Sequence, residues 1–218
     1  MVGTAAGPLD FLAIAAGQFG KWGALDHRAG MVDLEAGYQP KILPRIKPWI
    51  RAGYYYGAGD NHPGDNRHGT FFQMLPTARP FARFPFFNMM NNEDRFGMLT
   101  IRPHKQLTLK SEVHSLRLAH KNDLWYIGGG AFQPWTSGYQ SRSGGGARSL
   151  ANLYDWSGDV MVNAHVAVTL YYGYARGKSV IRAIYPRGLP GTPLKLVTLG
   201  NQTRYAVFAL TASPFLIP

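Results

Sequence analysis

Apolar and polar residues alternate with a period of two at many points along this chain, and that alternation constrains the fold more than any other feature. Between Ile46 and Tyr56, one face collects Ile46, Ile50, Ala52, Tyr54 and Tyr56, while the other collects Lys47, Trp49, Arg51 and Tyr55. Successive side chains of a strand point to opposite faces, so this spacing predicts a two-faced strand. Val32, Leu34, Ala36 and Tyr38 alternate in the same way with Met31, Asp33 and Glu35. Leu107, Leu109 and Val113 alternate with Thr108, Lys110, Glu112 and His114, and Val166, Val168, Leu170, Tyr172 and Tyr174 share the outward face of another strand. Further strands are expected near 9–20, 96–102, 124–132, 152–162 and 202–213.

Composition narrows the class. The 218 residues are 45% hydrophobic and only 16% charged, with 26 Gly and 15 Pro, which excludes a disordered basic tail. Cysteine is absent, so a disulfide scaffold, a thiolate zinc site and a cysteine nucleophile are all excluded. The net charge of +11 sits on an otherwise charge-poor, tyrosine- and glycine-rich chain, a balance that suits β structure. No apolar run approaches the roughly 20 residues of a spanning helix. Asp10 and Gln18 interrupt the apolar residues near the start, so Met1 to Gly20 reads as a strand and not as a signal peptide. Taken literally, the chain stays in the cytoplasm; the other reading is that its beginning is missing and it is a fragment.

Two architectures share this alternation. An outer-membrane barrel crosses the bilayer in strands of about nine to eleven tilted residues and gathers rings at the interfaces, and Tyr54, Tyr56, Tyr172 and Tyr174 fall at strand ends. A soluble β-sandwich alternates as well. The connections favour the barrel: 40–45, 103–105 and 163–165 are short, whereas 58–95, 133–149 and 177–201 are long and rich in Gly, Pro and Asn. Short turns on one side and long loops on the other are the barrel's arrangement.

The run from Trp49 to Asp60, continuing through Asn61, Pro63, Asp65, His68-Gly69-Thr70-Phe71 and Pro76, resembles the alginate export family of outer-membrane proteins. Arg83 to Asp94, Arg102-Pro103-His104, Leu116 to Ala119 and Asp123 to Tyr126 resemble the continuation in bacterial members. The resemblance runs from about residue 30 to about residue 186. It implies a single-chain barrel of about twice this length with a signal peptide, whose namesake passes the anionic polysaccharide alginate to the cell exterior. This chain is similar to the C-terminal half. Arg187 to Pro218 resembles nothing in the family and lacks the terminal aromatic of a last strand, as expected of a variant tail or a shifted reading frame.

The expected fold is therefore all-β: an antiparallel outer-membrane β-barrel segment of meander topology, with short turns and long loops, forming one incomplete barrel domain over residues 1–218. The expected function is a passive outer-membrane channel exporting an anionic polysaccharide such as alginate. The alternative is a soluble basic β-sandwich that binds acidic polysaccharide or nucleic acid. A polysaccharide lyase built on Arg51 and Tyr55 is a third reading, although nothing else argues for catalysis. Inward parity gives a substrate pathway of Lys47, Arg51, Tyr55, Arg102 and Lys110. The same parity turns Asp33, Glu35, Glu112, Asp155 and Asp159 inward, so lumenal salt bridges are the competing use of those bases.

Loop contacts are assigned to Arg67, His68, Arg79 and Arg83, with Arg142, Arg148 and Arg182 also in loops or rims. There they meet anionic lipopolysaccharide, gather a polyanion or simply face solvent. The barrel reading gives outer-membrane lipid as a partner and no nucleic acid, and leaves the oligomeric state open.

Asp60, Asn61, Asp65 and Asn66 lie beside His62 and His68, but lack the spacing of a 12-residue calcium loop and read as Asx turns. No metal or cofactor is expected. Arg79, Phe81, Arg83, Phe84, Phe86 and Phe87 interleave charge with rings, either as a plug packed inside the barrel or as a stacking platform. Gly173 to Ser179 has three residues between its glycines where a phosphate loop has four, and is rejected as one.

Overall fold

The structure is a computed structural model that describes residues 2–4, 7–73, 88–127, 140–163, 166–185, 197–199 and 202–212. Strands dominate it. In chain order they are β1 (Val2–Thr4), β2 (Leu9–Trp22), β3 (Leu25–Tyr38), β4 (Trp49–Gly57), β5 (Arg67–His68), β6 (Asn92–His104), β7 (Leu107–Leu118), β8 (Leu124–Ile127), β9 (Gln140–Ser143), β10 (Ser149–Met161), β11 (Val166–Gly177), β12 (Val197–Leu199) and β13 (Gln202–Ala212). A short helix, α1 (Ser179–Ile184), follows β11.

The main sheet runs β1-β2-β3-β4-β6-β7-β10-β11-β13-β12, with β5 added in parallel beside β3. Every pairing along that path is antiparallel. It is a meander, and among the described residues it is not closed on itself. The path ends at β1 on one side and β12 on the other.

The antiparallel order sorts the connections. The chain leaves β3, β6 and β10 at one edge of the sheet, and leaves β4, β7 and β11 at the opposite edge. The turn after β2 is the exception, a tight two-residue connection on the long-loop edge made by Gly23, whose φ of 60° suits glycine, and Ala24.

Three sequence expectations change. The strand expected at 96–102 begins at Asn92, because the polar residues Asn92, Glu93 and Asp94 are held as a buried strand end. The strand expected at 124–132 contributes only Leu124–Ile127, which pairs with Gln140–Ser143 in a separate two-stranded hairpin and not with the main sheet; residues 128–132 lie outside the described residues. The loop expected at 177–201 includes α1.

The two faces of the sheet differ in chemistry. Leu34 and Ala36 of β3, Ile50 and Ala52 of β4, Leu99 of β6, Val113 of β7, Trp156 of β10 and Leu170 and Tyr172 of β11 project outward. Leu34, Ile50 and Leu170 are 51%, 52% and 57% exposed. Tyr154, Trp156, Tyr172 and Tyr174 add a cross-strand stack on this face, with Tyr154 over Tyr174 at 5.9 Å and Trp156 over Tyr172 at 5.7 Å. The inner face buries Asp33, Asp94, Glu112, His114 and Asp155 instead. Burial of apolar surface stabilises by about 25 cal/mol per Å², so a sheet with its leucines outside and its acids inside suits an apolar surrounding and not water.

The apolar core sits at the long-loop end of the inner face. Leu116 and Leu118 of β7, Ala151 and Leu153 of β10 and Ala175 of β11 pack there with Trp125, Val180 and Ile181. The hairpin of β8 and the helix α1 are therefore folded inward over the top of the sheet.

Candidate lumenal wall

Arg51 anchors the lower inner face. Asp10 of β2 and Arg51 of β4 both lie opposite Gly37 of β3, so the ion pair between them bridges non-adjacent strands over a residue with no side chain. Arg51 donates to Asp10 Oδ1 and to Glu35 Oε2, each at 2.5 Å. Trp49 Nε1 donates to Asp10 Oδ2 at 2.9 Å, and the Arg51 guanidinium lies 4.4 Å from the Trp49 ring centre.

A polar row crosses the middle of the same face. Asp33, Tyr55 and Asp94 are directly opposite one another on β3, β4 and β6. Asp94 accepts from His114 Nδ1 of β7 at 2.7 Å. Glu112, one step below His114, is opposite Asp155 of β10. Lys110 binds Glu112 at 2.8 Å. The Tyr55 hydroxyl donates to the Met89 carbonyl at 2.8 Å and ties the incoming loop to the wall.

Of the expected pathway residues, Arg51, Tyr55 and Lys110 share this inner face, and both bases are engaged with acids. Lys47 stands in the connection before β4, exposed and with φ of 45°, and Arg102 is exposed near the end of β6. These two are not brought to the row. The described inner face is acid-rich, with Asp10, Asp33, Glu35, Asp94, Glu112, Asp155 and Asp159 against the engaged bases Arg51 and Lys110. Period-two parity identifies the face a residue occupies, but not how near the middle of its strand it falls.

At the long-loop rim, β5 brings His68 beside His27, with their Nδ1 atoms 2.9 Å apart, while Trp22 stacks on His68 at 4.5 Å. Burial and the neighbouring His27 hold His68 below the usual imidazole range. Arg67 lies beside this pair in a shallow hollow with Phe19, Asp26 and Arg28. The 60–71 loop forms Asx turns: Asp60 Oδ1 accepts from the His62 amide at 2.9 Å and Asp65 Oδ1 from the Arg67 amide at 2.7 Å.

Asp123 gathers the two loops. It accepts from the Asp60 amide at 2.8 Å, from the Thr70 hydroxyl at 2.5 Å and from the Tyr126 hydroxyl at 3.0 Å. Asn91 is the second tie, donating to the carbonyls of His120 and Leu124 and accepting from the His120 amide at 2.8 Å. Nothing in the alternation of the strands signals these loop-to-loop bonds.

Outside the sheet near the same rim, Glu93 takes Arg117, Arg148 at 3.1 Å and Arg95 at 3.4 Å. The three arginine side chains remain 65% (Arg95), 38% (Arg117) and 45% (Arg148) exposed. Arg142 and Arg182 are exposed on β9 and α1. Arg79 and Arg83, with the ring-rich segment around them, lie outside the described residues.

An antiparallel meander with an apolar outer face and a charged inner face is the arrangement found in the wall of a β-barrel. The sequence model of the alginate export family matches residues 1–182, and the chain belongs to that family. The match reaches back to the first strands, which the resemblance in the sequence did not cover, and stops before the divergent tail. Comparison with individual curated proteins finds no match.

Proposed function

We propose that this chain forms one wall of a passive outer-membrane channel through which an anionic polysaccharide, alginate in the first instance, is exported. The observation that carries the reading is the inversion of the two faces: exposed leucines and stacked rings outside, buried ionisable groups inside. Membership in the alginate export family supports the polysaccharide. The rim arginines support the first encounter with a polyanion or with lipopolysaccharide, since Arg95, Arg117 and Arg148 keep exposed surface beyond their bonds to Glu93. On the wall itself, Arg51 and Lys110 are held by acids, so passage relies on short-lived contacts and not on a continuous basic ladder.

The soluble sandwich needs a second sheet over the apolar face, and the described residues leave that face open. The lyase reading needs Tyr55 as a base, whereas its hydroxyl donates to Met89 and Arg51 is committed to two carboxylates.

The test is planar-bilayer recording after folding into short-chain lipid vesicles, with the folded fraction read from the gel shift between unheated and boiled samples. A heat-modifiable band, ohmic conductance and block by alginate oligomers are expected. Conductance that ignores alginate but is blocked by another polyanion would overturn the substrate. A protein that stays soluble in plain buffer with an unshifted band would overturn the channel.

A further inference from the structure

We propose that Glu112, His114 and Asp155 form a binding site for one divalent transition-metal cation on the inner face of the wall. One ligand atom from each of the three lies within 4.8 Å of the others, and all three residues are buried. Zinc-type ions hold nitrogen and oxygen at about 2.0–2.2 Å, which places ligand pairs about 3.4 Å apart in a tetrahedral site, so closing the site takes side-chain movements of about 1 Å.

The second observation is the setting of the imidazole. The His114 side chain is fully buried, its Nδ1 is bonded to Asp94 Oδ2 at 2.7 Å, and its Nε2 has no hydrogen-bond partner. A neutral ring that donates its Nδ1–H to a carboxylate presents the Nε2 lone pair, and that carboxylate–histidine arrangement fixes and strengthens metal-bound histidines. Asp94 faces the ring from β6. Glu112 lies two residues away on the same strand, and Asp155 stands opposite Glu112 on the next. A buried imidazole nitrogen with nothing to bond is costly on its own, and a cation satisfies it.

Charge points the same way. Asp94, Glu112 and Asp155 crowd one stretch of wall, and Lys110 engages only Oε1 of Glu112. A divalent ion held by the three would cross-link β7 to β10. One nitrogen and two carboxylates without sulfur suit Zn²⁺, Co²⁺ or Mn²⁺, whereas Ca²⁺ takes six to eight oxygens.

The site is independent of what the channel carries, and its test uses no transport assay. The full chain, folded in detergent micelles and checked by gel shift, is titrated with Co²⁺ while the visible d–d bands are recorded. One equivalent, displaced by Zn²⁺, is expected. His114→Gln should weaken binding at least about 100-fold, and Asp94→Asn about 10- to 100-fold through the lost orientation of the ring.

Absence of the bands in the folded wild type overturns the site. So does binding that survives His114→Gln but is lost in His27→Ala or His68→Ala, because the metal then sits at the rim. If His114→Gln does not fold, Glu112→Gln and Asp155→Asn decide in its place. Unchanged affinity in both rejects the proposal.

Discussion

Asp10 and Arg51 pair across the bare backbone of Gly37. A Cβ on Gly37 would lie 2.4 Å from Asp10 Oδ1, so the glycine is the gap through which two strands that never touch share a salt bridge. Gly37→Val should displace Asp10 and lower stability by about 1–3 kcal/mol, the range for a partly buried charged hydrogen bond left unmade. Arg51→Gln should cost a similar amount and, by leaving Asp10 and Glu35 uncompensated, shift the channel toward cations. Urea dependence of the gel shift checks the first effect, and reversal potential in a KCl gradient checks the second.

Arginine placed on the two faces should give opposite results. Leu99→Arg or Leu170→Arg puts charge on the outer face, where the cost is about 2–4 kcal/mol at the bilayer midplane. Ser157→Arg puts it on the inner face beside Asp159 and should fold nearly as well as the unaltered chain. Folding yield into vesicles separates them, and equal losses at all three positions would contradict a lipid-facing outer surface.

Gly57 is a second tight point. An added Cβ would fall 2.0 Å from the Met89 carbonyl oxygen and 2.5 Å from the Tyr55 hydroxyl. Gly57→Ala should therefore break the bond that holds the loop against the wall, whereas Tyr55→Phe removes the same bond without a clash and should cost only about 1 kcal/mol. Protease sensitivity of the loop after β4 should rise in both variants, and more in Gly57→Ala.

Acid should loosen the long-loop rim before it affects the wall. His68 and His120 are each held below an ordinary value of 6.5, chiefly by burial, then by His27 for the first and by Arg148 for the second. The neutral rings are the ones favoured in the folded protein. Their contribution to stability is complete above pH 6.5 and falls away as the pH drops through the lower folded values. Relative to the intrinsic exchange rate at each pH, hydrogen-exchange protection in segments 60–70 and 119–126 should fall between pH 7.5 and pH 5, while β10 and β11 stay protected. His120→Gln should remove part of the difference.

The wall was legible in the sequence because period-two alternation is a local property. Tyr54, Tyr56, Leu170 and Tyr172 announced an outward face from their own neighbours, and the unequal connections announced the two edges. The polar row was only half legible. The inward parity of Asp33, Glu112 and Asp155 could be read, but the meeting of Glu112 and His114 with Asp155 depends on pairing strands about forty residues apart in the chain. The ties between Asp60, Thr70, Asp123 and Tyr126 had no signal, since loop hydrogen bonds follow no period. The hairpin of β8 misled for the opposite reason: Leu124, Trp125 and Tyr126 have strand propensity, but Trp125 is buried by folding onto the inner face, not by joining the sheet.

The meander also makes the wall divisible. Along the main path from β2 to β11, each long strand pairs with the long strand before it in the chain and the one after it, with no crossover. A break at 39–48, 105–106 or 162–165 would peel strands from one margin and leave the register of the others intact. The unit of inheritance is thus the hairpin: a contiguous length of gene encodes a contiguous stretch of sheet, and hairpins can be gained or lost at a margin without rewriting the pairings that remain.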